Sequence, residues 1–200
     1  MRKVPDVERK ADVELLQEHL AGQTGSFEEL VGRYKDELYG FLCRFVGNAT
    51  AAEDIIQDAF VQVHLAAETF DQARAFRPWL YTIAANKARD YLRAKGRRQE
   101  YSLEGSVTTD DDGPSPAQNL EASDRAVADE VDDRERNAAV REMVDGMPDH
   151  LRLILILGYF QQLPYAQIAE ILEIPVGTVK SRLHSAVNHF GKLWKQRVET

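Results

Sequence analysis

Between Phe76 and Arg98 the chain reads FRPWLYTIAANKARDYLRAKGRR, and this pattern fits a helix with two unlike faces. Phe76, Trp79, Leu80, Ile83, Ala84, Ala88, Tyr91 and Leu92 recur at alternating spacings of three and four, the period of one buried stripe. Pro78 falls in the first turn, where a missing N–H leaves no bond unmade. Thr82, Asn86, Arg89, Arg93 and Arg97 lie on another face, with Trp79 at the border. The segment carries seven Lys/Arg against one acid, a local charge of +6 in a chain whose net charge is −8. A basic, amide-bearing face edged by an aromatic suits a nucleic-acid backbone with bases close enough to stack. A solvated amphipathic helix has the same pattern, so both readings stand on this stretch alone.

The flanking sequence gives that helix its neighbours. Asp12 to Ala21 predicts a short helix with Leu15, Leu16 and Leu20 inward. Ser26 and Glu29 then have the spacing of a capping box, opening a long helix whose stripe is Phe27, Leu30, Val31, Tyr34, Leu38, Phe41, Leu42 and Phe45. After Gly47-Asn48, Thr50 and Glu53 repeat the capping spacing. The helix that follows turns Ile55, Ile56, Ala59, Phe60 and Val63 inward. Its outer face is Glu53, Asp54, Gln57, Asp58 and Gln62, either a solvated surface or a docking face for a basic partner. Four helices joined by tight loops predict a first all-α domain at residues 12–98.

Beyond Gln99 the composition changes. From Glu100 to Glu135 there are twelve acids and two bases, and Asp110-Asp111-Asp112-Gly113-Pro114-Ser115-Pro116 has few apolar anchors. Residues 99–125 therefore read as an acidic, flexible linker. A second all-α domain is expected at 126–198, beginning with a helix to about Asp145 with Ala138, Met143 and Val144 inward, then the apolar helix HLRLILILGYF. A helix from Pro164 to Leu172, a turn at Glu173-Ile174-Pro175 and a helix from about Val176 follow, with Ile168, Leu172, Val179, Leu183, Ala186, Val187, Phe190 and Leu193 inward. Thr178, Ser181, Arg182 and Ser185 share the outer face near the start of the last helix, flanked by Lys180 and His184. This is a helix-turn-helix layout, in which the N-terminal residues of the second helix enter the major groove. Arg grips guanine bidentately, and Ser or Thr holds phosphate or base edges.

Other chemistry is not visible. There is no phosphate-cradling glycine loop, serine elbow or Cys/His pair, and the scattered histidines lack the companions of a metal set, so no catalysis, cofactor or metal is expected. The single cysteine, Cys43, permits no internal disulfide, as in a reducing cytoplasm. The N-terminal MRKVPDVERK lacks the apolar core of a signal peptide, and the longest uncharged apolar run, Leu153 to Phe160, is far short of the roughly 20 residues of a membrane helix. A cytoplasmic protein without membrane insertion is expected.

The order AEDIIQDAF, FRPWLYTIAANKARDYLRAKGRR, acidic linker, IAEILEIPVGTVKSRLHSA resembles the extracytoplasmic-function (ECF) class of bacterial RNA polymerase sigma factors. The resemblance spans roughly residues 12–98 and 130–195. It implies that the first domain is sigma region 2 and the second region 4. It further implies that Glu53, Asp54, Gln57, Asp58 and Gln62 dock the clamp coiled coil of the polymerase largest subunit. Phe70, Arg77, Trp79, Thr82, Asn86, Arg89 and Arg93 would bind and open the −10 promoter element, flipping a base into a loop pocket. Thr178, Lys180, Ser181, Arg182, His184 and Ser185 would read the −35 element, and region 4 would meet the polymerase flap. The linker would thread the polymerase channels as a nucleic-acid mimic, and an anti-sigma factor would cover the polymerase-binding faces. Two departures stand out: Ser185 and Val187 replace further bases of relatives, and Glu173 occupies a turn position where glycine is common. A stand-alone helix-turn-helix regulator is the alternative, though no dimerisation helix is evident.

Overall fold

The computed structural model describes residues 10–104 and 138–198, all of whose regular elements are helical. The expected linker from 105 onward and the expected helix start at 126–137 lie outside the described residues.

Helix α1 (Asp12–Leu20) buries Leu15 and Leu16, while Leu20, expected inward, is exposed. Helix α2 (Ser26–Val46) departs from its predicted start. Gly25 is the N-cap, and the Ser26 hydroxyl donates to the Glu18 carboxylate at 2.8 Å instead of closing a capping box. Glu29 turns to Arg33, four residues on. A carboxylate on the preceding helix has outcompeted the local partner. The chain leaves α2 through Gly47 at φ +71°, a left-handed position where a side chain costs roughly 1 kcal/mol. Helix α3 (Ala49–Ala66) is capped by Asn48, whose Oδ1 accepts from the Ala51 amide at 2.8 Å, in place of the expected Thr50–Glu53 box. A single 3₁₀ turn, Ala67–Thr69, and a short loop lead to α4 (Phe76–Glu104). This helix continues six residues past the predicted boundary at 98.

In the second half, α5 (138–145) is followed by α6 (Asp149–Leu155), which widens into a π turn over Ile156–Phe160. In α5, Ala139 rather than Ala138 faces inward. Gly158 in the π turn lets α8 approach, since a Cβ there would meet Leu183 Cδ1 at 3.1 Å. Helix α7 (Tyr165–Leu172) and helix α8 (Val176–Val198) form the helix-turn-helix. Between them Glu173 has φ +53°, so this turn position does require left-handed backbone. Ile168, Ile171, Val179, Leu183 and Ala186 are buried, whereas Val187, expected inward, is exposed.

The two halves pack on one another, with α4 against α7 and α2 against the π turn. One buried cluster runs from Leu15 and Phe41 through Tyr81 to Ile154, Ile168 and Val179. Cations seal its edge: the guanidinium of Arg152, 7% exposed, lies 5.2 Å from the Phe45 ring centroid, and that of Arg44 lies 5.1 Å from Phe160. The Arg74 and Glu170 side chains bond at 2.7 Å across the same boundary.

Candidate nucleic-acid and partner interfaces

The inner face of α4 fixes where its outer residues stand. Leu80, Ala84, Ala85 and Ala88 are fully buried, so the helix cannot rotate without exposing them. Along the other side, Trp79, Thr82 and Arg89 are half-buried and Asn86 and Arg93 exposed. The Thr82 hydroxyl donates to the Pro78 carbonyl at 2.9 Å, Arg89 donates to Asn86 Oδ1 at 2.8 Å, and Arg93 reaches Asp90 at 3.3 Å. Burial first, and then the like charge of Arg93, lowers the pKa of the Arg89 guanidinium from its ordinary value.

Two residues of the −10 set are differently situated. Phe70 is buried, its ring centroid 4.6 Å from Trp79 and 6.2 Å from Phe76, so it braces the tryptophan instead of standing on an open loop surface. Arg77 is held by Glu37 through Nε at 3.0 Å, with its guanidinium 5.7 Å from the Tyr81 ring centroid. The Tyr81 hydroxyl donates to the same Glu37 oxygen at 2.6 Å and lies 3.1 Å from Gln161 Oε1 of the second domain. Tyr81 lies off the predicted stripe of α4 yet is fully buried, because Phe41 and Glu37 of α2 and Gln161 of the C-terminal half cover a second side of the helix. Repetition at one helical period reveals only the first such face.

On α3, Glu53, Asp54, Gln57, Asp58 and Gln62 are all exposed. Asp58 lies 3.9 Å from Lys87 of α4. Beside this polar face runs a groove of about 1000 Å³ between α2 and α3, with Phe27, Val31, Ile56, Phe60 and Val61 in its walls and Glu53, Gln57 and His64 at its rim. Val61 is 57% exposed and Leu65, further along α3, is 70% exposed. Sequence periodicity marked the polar face and not the groove, which depends on the separation of two helices.

At the start of α8, Lys180, Ser181, Arg182, His184 and Ser185 are exposed and Thr178 half-buried. The Ser181 hydroxyl donates to Thr178 O at 3.1 Å and the Ser185 hydroxyl to Ser181 O at 3.0 Å, which leaves both oxygens outward as acceptors. Arg182 does not stand apart from α4. It lines a cleft of about 280 Å³ with Arg89 and Arg93, and with Asp149, His150 and Leu172. Among the described residues no group of three or more His, Cys, Asp or Glu could hold a metal ion, and no helix is long and apolar enough to cross a membrane.

Two helical units of this kind, one with a basic α4 and one with a helix-turn-helix, match two families in the same order. Sigma-70 region 2 matches residues 30–98, and Sigma-70 region 4 matches residues 137–190. Over 183 residues the chain is 34% identical to the RNA polymerase sigma-H factor of Pseudomonas aeruginosa, covering 89% of this chain and 91% of that one. It is 35% identical over 163 residues to the ECF RNA polymerase sigma factor SigW of Bacillus subtilis, covering 82% and 86%. In three dimensions it is similar to CnrH, solved in complex with the cytosolic domain of CnrY, with a TM-score of 0.68, 22% identity and coverage of 94% and 99%. The fold is that of a two-domain sigma factor. The chain belongs to the ECF sigma factor family.

Proposed function

We propose that this chain binds core bacterial RNA polymerase and directs it to a set of promoters carrying two upstream elements. The observation that carries this reading is the pairing, in one chain, of a region 2 unit with a cation-bearing α4 and a region 4 unit with an exposed recognition helix. A stand-alone helix-turn-helix regulator has no need of the first unit, and that alternative is set aside by the region 2 match.

The exposed face Glu53, Asp54, Gln57, Asp58 and Gln62 docks the clamp coiled coil of the largest subunit, with the neighbouring groove as its apolar floor. Trp79, Thr82, Asn86, Arg89 and Arg93 hold the opened −10 strand by stacking and phosphate pairing. Phe70 serves this surface from behind by supporting Trp79, and Arg77 reaches the strand only by leaving Glu37. Thr178, Lys180, Ser181, Arg182, His184 and Ser185 read the −35 element, while region 4 meets the flap. The protein acts in the cytoplasm and supplies recognition, with the catalytic step left to the polymerase. An anti-sigma factor covers the polymerase-docking surface when the promoters are silent; CnrH, which shares the fold, was solved with the cytosolic domain of CnrY.

Transcription by core polymerase on a genomic promoter library, with and without this protein, tests the reading. New start sites sharing two upstream elements are expected. Tight binding of the free chain to duplex DNA without any new start sites would overturn it.

A further inference from the structure

The cleft between the two domains gathers cations from both. Arg89 and Arg93 come from α4 and Arg182 from α8, with the His150 ring beside them at the start of α6. Its one carboxylate, Asp149, is already bonded to Arg152 at 2.6 Å. Three other arginines withdrawn from solvent have carboxylate partners within bonding distance: Arg33 has Asp12 and Glu29, Arg77 has Glu37, and Arg152 has Asp149; Arg44 bonds the Gly40 carbonyl and lies over the Phe160 ring. Half-buried Arg89 bonds instead to the neutral amide of Asn86. The pair Arg93–Asp90 lies at the surface, its side chains 69% and 72% exposed, so water screens it. Glu173 acts on Arg89 only as a more distant charge. Three guanidinium groups thus share one void with little local compensation, and folding has brought like charges from separate domains together.

We propose that this cleft binds a small phosphate-bearing anion of the size of pyrophosphate, which bridges α4 and α8 and holds the two domains together. Guanidinium groups present planar forks of N–H donors that match phosphate oxygens, and partial withdrawal from water strengthens each such bond. Ligand pockets commonly enclose about 300–1,000 Å³, so a cleft of about 280 Å³ suits a compact anion over a large cofactor. The phosphate could belong to a free small molecule or to a DNA backbone. The free anion is favoured because the cleft exists only while the domains are together, leaving no room for a duplex. Its occupancy would oppose the use of Arg89, Arg93 and Arg182 on a promoter. That consequence rests on the promoter reading above; the binding itself does not.

Calorimetric titration of the full chain with pyrophosphate, in chloride buffer of low ionic strength and without polymerase or DNA, tests the proposal. One saturable site is expected, with affinity at least about tenfold weaker in both Arg89→Gln and Arg182→Gln, a loss of about 1.4 kcal/mol. Lys192→Gln, which removes an exposed cation from the far part of α8, should leave the affinity unchanged. A single-stranded oligonucleotide is titrated in parallel to separate the two phosphate sources. No saturable pyrophosphate binding, a site indifferent to Arg182, or an equal loss in Lys192→Gln would overturn the proposal. So would binding of the oligonucleotide alone, which would assign these arginines to the DNA backbone. Failure here would leave promoter-directed transcription untouched, so the two readings fall separately.

Discussion

The hydroxyl of Tyr81 is buried where the two halves of the molecule meet, shared between Glu37 and Gln161. Burial, and then the hydrogen bond to the Glu37 carboxylate, raises its pKa well above the ordinary value of 10.0. The sign of the pH effect follows. In the unfolded chain this phenol ionises near its ordinary value while the folded chain still holds the proton, so folding loses stability as pH rises above about 10. Tyr81→Phe should cost roughly 1 kcal/mol at pH 8, a lost hydrogen bond, and should make the decline between pH 9 and pH 11 shallower. Urea unfolding at the three pH values measures both. Tyr34, whose hydroxyl is bonded to Asp12 and whose pKa is likewise raised, contributes a second alkaline decline that the variant keeps. A different residue effect acts through the backbone: Glu173 holds φ +53°, and Glu173→Gly should raise stability by up to about 1 kcal/mol in thermal unfolding. Glu173 could be flagged from sequence because a helix-turn-helix turn calls for that conformation. Tyr81 could not, because it is covered by Phe41 and Glu37 of α2 and by Gln161 of the second half, all distant in sequence.

Helix α3 shows how an element carries a surface. Its inward residues Ile55, Ile56, Ala59, Phe60 and Val63 are all buried, and this fixes the rotation that turns Asp54, Gln57 and Asp58 outward. Replacing those three by alanine should therefore leave helical content unchanged while weakening affinity for core polymerase at least about tenfold, or about 1.4 kcal/mol. A binding titration with core enzyme checks this, and unchanged affinity would remove the docking assignment. On α8, Arg182→Ala separates two roles. Loss of about 1–3 kcal/mol confined to particular −35 sequences marks a base contact, whereas equal loss on all sequences marks a phosphate contact. The existence and facing of these helices were legible because burial imposes a period on the sequence. Their starts were not. Ser26 had a local capping partner in Glu29 and bonded Glu18 on another helix instead, while Asn48 took the cap two residues before Thr50. A cap is decided by whichever partner arrives in three dimensions, and local spacing names only one of the competitors.

At the scale of the whole molecule, the proposed assignment of Arg89 and Arg93 to one promoter element and Arg182 to the other requires a promoter-bound arrangement unlike the packed one. Elements centred near −10 and −35 lie about 25 base pairs apart, which at about 3.4 Å per base pair is roughly 85 Å of duplex. Here the residues assigned to the two elements, Arg89 and Arg93 on one side and Arg182 on the other, line a single cleft of about 280 Å³. On that assignment the domains separate before both elements are engaged, and part of the binding energy to polymerase or DNA goes into that separation. The sequence announced two units and a tether, but the contacts that bring them together rest on scattered residues with no common period. Arg74–Glu170 alone contributes little, because its partners are 51% and 28% exposed and surface pairs are typically worth at most about 1 kcal/mol. At a second point Gln161 reaches the buried Tyr81 hydroxyl, which also bonds the half-buried Glu37. The double variant Arg74→Glu with Gln161→Glu opposes a carboxylate to Glu170 at one contact and places another across the Tyr81 hydroxyl from Glu37 at the other, where partial burial strengthens the repulsion of like charges. Its radius of gyration by small-angle scattering should exceed that of the parent chain, with helical content preserved. The free variant should also bind a single-stranded −10 oligonucleotide more tightly, since the separation has already been made. An unchanged radius would mean that apolar packing of α4 on α7 holds the domains without these polar contacts.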